Sequence, residues 1–105
     1  MSASCRFEIL LPLRFNDGSA VPRELFAQTI GELESRFGAA TWETQVLHGG
    51  WRHEGITYHD ELVRLFVDAE GNRSNRAFFK EYKRMLKTRF RQLDIWLTVH
   101  PMETI

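Results

Sequence analysis

Scarcity is the first thing this chain of 105 residues shows: one cysteine, three prolines and no net charge. A lone thiol, Cys5, forms no internal disulfide and cannot close a zinc site by itself, so a cysteine-stapled secreted scaffold is excluded and a reducing cytoplasm is the expected setting. With acidic and basic residues in balance, attraction to nucleic acid or to an anionic membrane has to come from local asymmetry rather than from the total. No run approaches the roughly 20 apolar residues that span a bilayer. The opening MSASCRFEILLPLRF also lacks the basic head and long apolar centre of a secretion signal, so a soluble protein without membrane contact is expected.

What is present suffices for one modest core. Hydrophobic residues at 43% and charged residues at 27% speak against disorder. The expectation is a single domain over residues 1–105, with 1–5 and 101–105 flexible.

Period-two alternation marks residues 6–13 as a strand, with Phe7, Ile9, Leu11 and Leu13 on one face and Arg6, Glu8 and Leu10 on the other. Pro12 should end it near Leu11 or bulge it. After turn formers at Asn16, Asp17 and Gly18, the period lengthens. Phe26, Ile30, Leu33 and Phe37 predict a helix over 22–37, opened by Pro22 and stopped by Gly38. A long hairpin follows, with arms 41–51 and 56–67 about a turn at 53–55, and Gly49 and Gly50 suggest a bulge or a close backbone contact. A second helix over 76–90 is expected to be capped by Asn72, Ser74 or Asn75. It buries Phe78 or Phe79 with Tyr82, Met85 or Leu86, and Phe90. A last strand, 93–100, carries Leu93, Ile95, Leu97 and Val99 towards the core.

The order is βαββαβ. It predicts a ferredoxin-like α+β two-layer sandwich: a four-stranded antiparallel sheet with two helices on one face, the first and third strands central and the last at an edge. The uncovered face should carry Leu10, Phe66 and Trp96, joined by Trp42 or Val46. An apolar patch of that kind signals recognition, and a symmetric homodimer would bury it. The alternatives are that Trp96 and Phe66 cover each other, or that Trp51, Tyr58, Arg64, Phe66 and Trp96 line a ligand cleft.

Around the hairpin turn lie His48, Trp51, Arg52, His53, Glu54, Tyr58, His59, Asp60 and Glu61. The three histidines share no strand face or helix, and neither HExxH nor paired cysteines occur, so no metal and no cofactor are expected. Strand alternation puts His59 with Glu61 on one side and Tyr58 with Asp60 on the other. An acid–base set is therefore His59 and Glu61, helped by Arg52 or Arg64, for proton transfer or anion stabilisation. Trp51 and Tyr58 flank the turn as a cross-strand pair worth roughly 0.2–1 kcal/mol to the hairpin. Cys5 has no histidine partner to make it a nucleophile.

Arg76, Lys80, Lys83, Lys87 and Arg91 recur at helical spacing and form a basic stripe for a protein partner, nucleic acid or solvent alone. The chain has no RNP pattern, and the helices lie opposite the open sheet face, which makes nucleic acid the lesser expectation.

The segments LRFNDGSAVPRELF, GWRHEGITYHDELVRLFVD and FKEYKRMLKTRFRQLDIWL, together with the RF of ESRFG, resemble a family of small uncharacterised bacterial proteins of domain-of-unknown-function type. The matching positions are Gly49, Trp51, Arg52, Tyr82, Lys83, Arg89, Phe90 and Gln92. This resemblance implies a small α+β fold and supplies no reaction, and Asp60 and Glu61 depart from its usual basic or neutral residues. The combined reading is a small cytoplasmic self-associating binding or regulatory module. The alternatives are a small-molecule enzyme with an aromatic-lined pocket at the sheet, using His59, Glu61 and Arg52 for proton transfer or anion stabilisation, and a nucleic-acid binder using the second helix.

Overall fold

The computed structural model describes residues 4–105. Six elements follow in the expected order: β1 (Ser4–Pro12), α1 (Arg23–Phe37), β2 (Thr41–His53), β3 (Ile56–Glu70), α2 (Arg73–Arg89) and β4 (Trp96–Pro101). The sheet runs β2-β3-β1-β4 with antiparallel neighbours throughout. Hence β1 and β2 run parallel with β3 between them, and β3 and β4 run parallel with β1 between them. Each helix is the crossover of one such split pair, which is the ferredoxin-like arrangement. No helix among the described residues is long and apolar enough to cross a membrane.

The alternation of β1 and β3 builds the core. Phe7, Ile9, Leu11, Val63, Leu65 and Val67 are buried against Phe26 and Leu33 of α1 and Phe79, Tyr82 and Leu86 of α2. Aromatic rings join the layers: Phe7 stacks on Phe79 at 4.3 Å between centroids, and Phe26 tilts against Phe90 at 5.4 Å. Met85 is left exposed on the outer side of α2.

Capping sets the helix ends. Gly38 takes φ 85° and returns its N–H to the Glu34 carbonyl at 2.8 Å, a left-handed stop that glycine makes without Cβ strain. At α2, the Asn72 side chain accepts from the Asn75 N–H at 2.8 Å. That cap starts the helix at Arg73 rather than at residue 76.

Three expectations need correction, and one, at Gly49 and Gly50, is settled in favour of its second alternative. Ser4 and Cys5 are not a flexible end: they pair with Glu70 and Ala69 of β3, Cys5 is buried, and the Met102 N–H donates to the Ser4 carbonyl. Residues 1–3 lie outside the described residues. The last strand begins at Trp96, not at residue 93. The β1 residues that would face 93–95 include Pro12, which has no N–H, while Leu13 already donates to Glu61 on the other side. Leu93 therefore points out, 62% exposed, and Ile95 reaches the core from a loop in which its N–H is taken by Asp94. The irregularity in β2 falls between Glu43 and Leu47, not at Gly49 and Gly50, which keep regular partners. Gly49 instead provides the close contact, since a Cβ there would stand 3.1 Å from Leu62 Cδ1. Finally, Trp42 pairs with Leu65 and packs on Phe26 at 5.0 Å, so it lies on the helix side of the sheet and not on the open face.

Candidate functional site

A groove of about 770 Å³ opens where α1, the loop before it and the base of the hairpin meet. Phe26, Ile30 and Trp42 form its apolar wall, and Arg14, Arg23, Glu24 and Glu61 stand around it. Its volume falls within the roughly 300–1,000 Å³ of small-molecule pockets, though it opens widely to solvent. Each wall has a local cause. Phe26 and Ile30 are four residues apart on one stripe of α1, and Trp42 faces them because it is opposite Leu65, a core residue of β3. Glu61 enters because it continues the same face of β3 beyond Val63, at the point where helix cover ends. The indole N–H of Trp42 is buried with no hydrogen-bond partner, which costs free energy.

The register separates the two faces of the projecting hairpin. His48 pairs with Glu61, Gly50 with His59 and Arg52 with Thr57, so Glu61, His59 and Arg52 share the groove side. Glu61 alone of these lines the groove; His59 and Arg52 lie farther out, exposed. Tyr58 and Asp60 are on the opposite side. There the Trp51 ring stacks on Tyr58 at 4.6 Å, and its Nε1–H donates to Asp60 Oδ2 at 2.6 Å. Among the described residues no three histidine, cysteine or carboxylate side chains converge as metal ligands do.

Nearer the middle of that open face, charge replaces the expected apolar patch. Arg64 donates to Glu8 at 2.5 Å and also to Glu43. The bond to Glu43, followed by that to Glu8, raises the guanidinium pKa above its ordinary value against the opposing effect of burial. Arg6 grips Asp68 with two nitrogens, at 2.8 and 3.0 Å. Phe66 lies under both arginines, with guanidinium carbons 4.1 and 5.3 Å from its centroid, as cation–π pairs lie. Trp96 does not cover Phe66: it is opposite Leu10 on β4, β1 runs between the two, and it stays 65% exposed. Val46, in the irregular part of β2, is exposed as well. The ring pair Trp51 and Tyr58, the Arg64–Phe66 cluster and Trp96 thus share a face without converging on one pocket.

Of the basic stripe, Arg76, Lys80 and Lys83 line a second groove between α2 and β4. Lys87 lies farther along the helix, and Arg91, past its end, sits over the Phe15 ring at 4.6 Å. Lys83 pairs with Asp94 at 3.1 Å.

Sequence reasoning passed over Trp42 and Phe26 as site residues. The signal was present in parity: Trp42 lies an odd number of residues before Trp51 along β2, so the two face opposite sides. Charge pairing across the helices, by Glu32 and Arg89, has no local signal at all.

The fold thus defined is the ferredoxin-like sandwich, with a ligand-sized groove on its helix side. No protein-family model and no curated protein sequence matches this chain. Among solved structures it is similar to a phage SAM lyase in complex with S-methyl-5′-thioadenosine, at 12% identity and a TM-score of 0.71. The alignment covers 96% of this chain and 83% of that one. At that identity the likeness is one of fold.

Proposed function

We propose that this chain is a small-molecule enzyme whose ligand, a 5′-thioadenosine or its sulfonium, enters the groove between α1 and the hairpin. The observation that carries the reading is the groove itself: an apolar wall of Trp42 and Phe26 suited to a flat purine, with the Glu61 carboxylate at its edge. The lyase of similar fold, bound to S-methyl-5′-thioadenosine, supports the ligand class. Glu61 faces the cationic sulfur and stabilises it by charge, while His59 of β3 and Arg52 of β2, farther out on the same sheet face, are suited to proton transfer and anion stabilisation.

Calorimetric titration with S-methyl-5′-thioadenosine and S-adenosylmethionine tests this, with chromatographic assay of S-adenosylmethionine consumption. Both ligands bind saturably, and Glu61→Gln weakens the sulfonium by about tenfold while leaving the neutral thioether little changed. Absence of saturable binding by either at millimolar concentration overturns the reading.

A second reading, a cytoplasmic homodimer joined through the open sheet face, is supported by the exposure of Trp96. Sedimentation at micromolar concentration reads it: a dimer that Trp96→Asp dissociates agrees with it, and a monomeric wild type removes it.

A further inference from the structure

The second groove, about 760 Å³ between α2 and β4, differs in kind from the first. Its floor is apolar: Phe7 and Phe79 beneath, with the partly buried Leu97 and Val99 along β4. Its helix wall is cationic, formed by Arg73, Arg76, Lys80 and Lys83. Among the described residues one carboxylate answers them within ion-pair distance, Asp94 on Lys83, while the Arg76 Nε–H donates to the Gly71 carbonyl at 3.3 Å. Arg73 and Lys80 are exposed and have no carboxylate within ion-pair distance among the described residues.

Two electrostatic features make this arrangement unfavourable when empty. The cations stand three or four residues apart on one helix side, where like charges repel. Arg73 and Arg76 also occupy the first turn of α2, which has no acidic residue, and the positive end of a helix favours anions. A bound anion relieves both.

We infer that this groove is a separate binding site for an amphiphilic anion, a phosphate or carboxylate head on an apolar body. The head meets Arg73, Arg76 and Lys80, and the body covers Leu97 and Val99. A bare inorganic anion would leave that floor wet, and a nucleic-acid backbone, polar along its length, would leave it wet too.

The test is titration with octyl phosphate below its micelle concentration, followed by amide chemical shifts, beside inorganic phosphate and a short single-stranded RNA. Octyl phosphate binds at least about tenfold more tightly than inorganic phosphate, with shifts at Leu97 and Val99. Arg73→Glu and Lys80→Glu, both at exposed positions, each weaken it by about tenfold without lowering the thermal midpoint, since each also relieves like-charge repulsion along the helix. Octyl and inorganic phosphate binding equally would show charge attraction alone and overturn the site. So would octyl phosphate affinity indifferent to both reversals. RNA binding tighter than octyl phosphate, with a steep salt dependence, would assign the wall to nucleic acid instead and overturn it as well.

Discussion

Arg89, at the end of α2, grips Glu32 in the middle of α1 with both terminal nitrogens, at 2.8 and 2.9 Å. The Tyr82 hydroxyl donates to the same Glu32 oxygen at 2.8 Å, and Arg89 donates also to the Thr29 hydroxyl at 2.8 Å. The Arg89 side chain is only 10% exposed, whereas Glu32 opens to water at 36%. Removing the carboxylate charge would leave a nearly buried guanidinium without its counter-ion. Glu32→Gln is therefore expected to lower stability by roughly 1–2 kcal/mol, less than a fully buried pair would lose because Glu32 is partly solvated. Urea denaturation measures it.

The same knot gives stability a pH profile. The Arg89 hydrogen bond, opposed by burial and helped by Tyr82, holds the Glu32 carboxyl below its usual range. A lowered value means the stabilisation is complete above the unfolded value, about 4.3, and fades as pH falls through the folded one. Burial first, and the hydrogen bond to Glu32 second, push the Tyr82 phenol up. That contribution is complete below the unfolded value, about 10, and is lost as pH rises through the folded one. Denaturation midpoints across pH should show a plateau falling at both ends, and Glu32→Gln should flatten the acid limb.

Elements with clean periodicity were legible from residues alone. The alternation of Phe7, Ile9 and Leu11 and of Val63, Leu65 and Val67, with the helical spacing of Phe26 and Leu33, determines which sides are buried, and from these the sandwich and its strand order follow. Leu93 misled because alternation continues through it, while the backbone partner it needed lies beyond Pro12. The Glu32–Arg89 pair joins residues 57 apart, and each alone reads as a solvated charge on an outer helix side. Glu61 was legible as a candidate, but its groove depends on where helix cover ends, and that is a property of packing.

At the hairpin turn, Glu54 and Gly55 both have positive φ, 51° and 79°, as the two central residues of a type I′ turn do. Gly55 adopts this freely, whereas glutamate is a poor residue for the first position. Among the described residues its carboxylate has an ion-pair neighbour only in His53, at 3.8 Å, and it is largely exposed. Glu54→Asn is expected to stabilise the hairpin by about 0.5–1 kcal/mol, since asparagine tolerates the left-handed region. A rise in the thermal midpoint checks it.

The distal hairpin, exposed from residue 51 to residue 59, is held by the Trp51–Tyr58 stack and the Trp51–Asp60 hydrogen bond rather than by the core. Tyr58→Ala should therefore act locally. Amide exchange over residues 50–59 is expected to speed severalfold, with global stability changed by less than about 1 kcal/mol. A large global loss would mean that the arm is coupled to the core.

Trp42 separates the wall of the groove from its buried polar group. Its ring packs on Phe26, while its N–H is hidden from water with no acceptor. An orphaned donor costs about 1–3 kcal/mol, so Trp42→Phe removes a penalty along with some buried surface, and the two largely offset. Stability within about 1 kcal/mol of the wild type is expected, against a loss of about 3 kcal/mol for Trp42→Ala. Because the flat ring is what a purine would meet, Trp42→Phe should keep S-methyl-5′-thioadenosine affinity within severalfold. Trp42→Ala should weaken it by more than about tenfold, the worth of a lost aromatic contact. Calorimetry on the two variants reads this, and equal affinity for Phe and Ala at this position would take the ligand off the Trp42 wall.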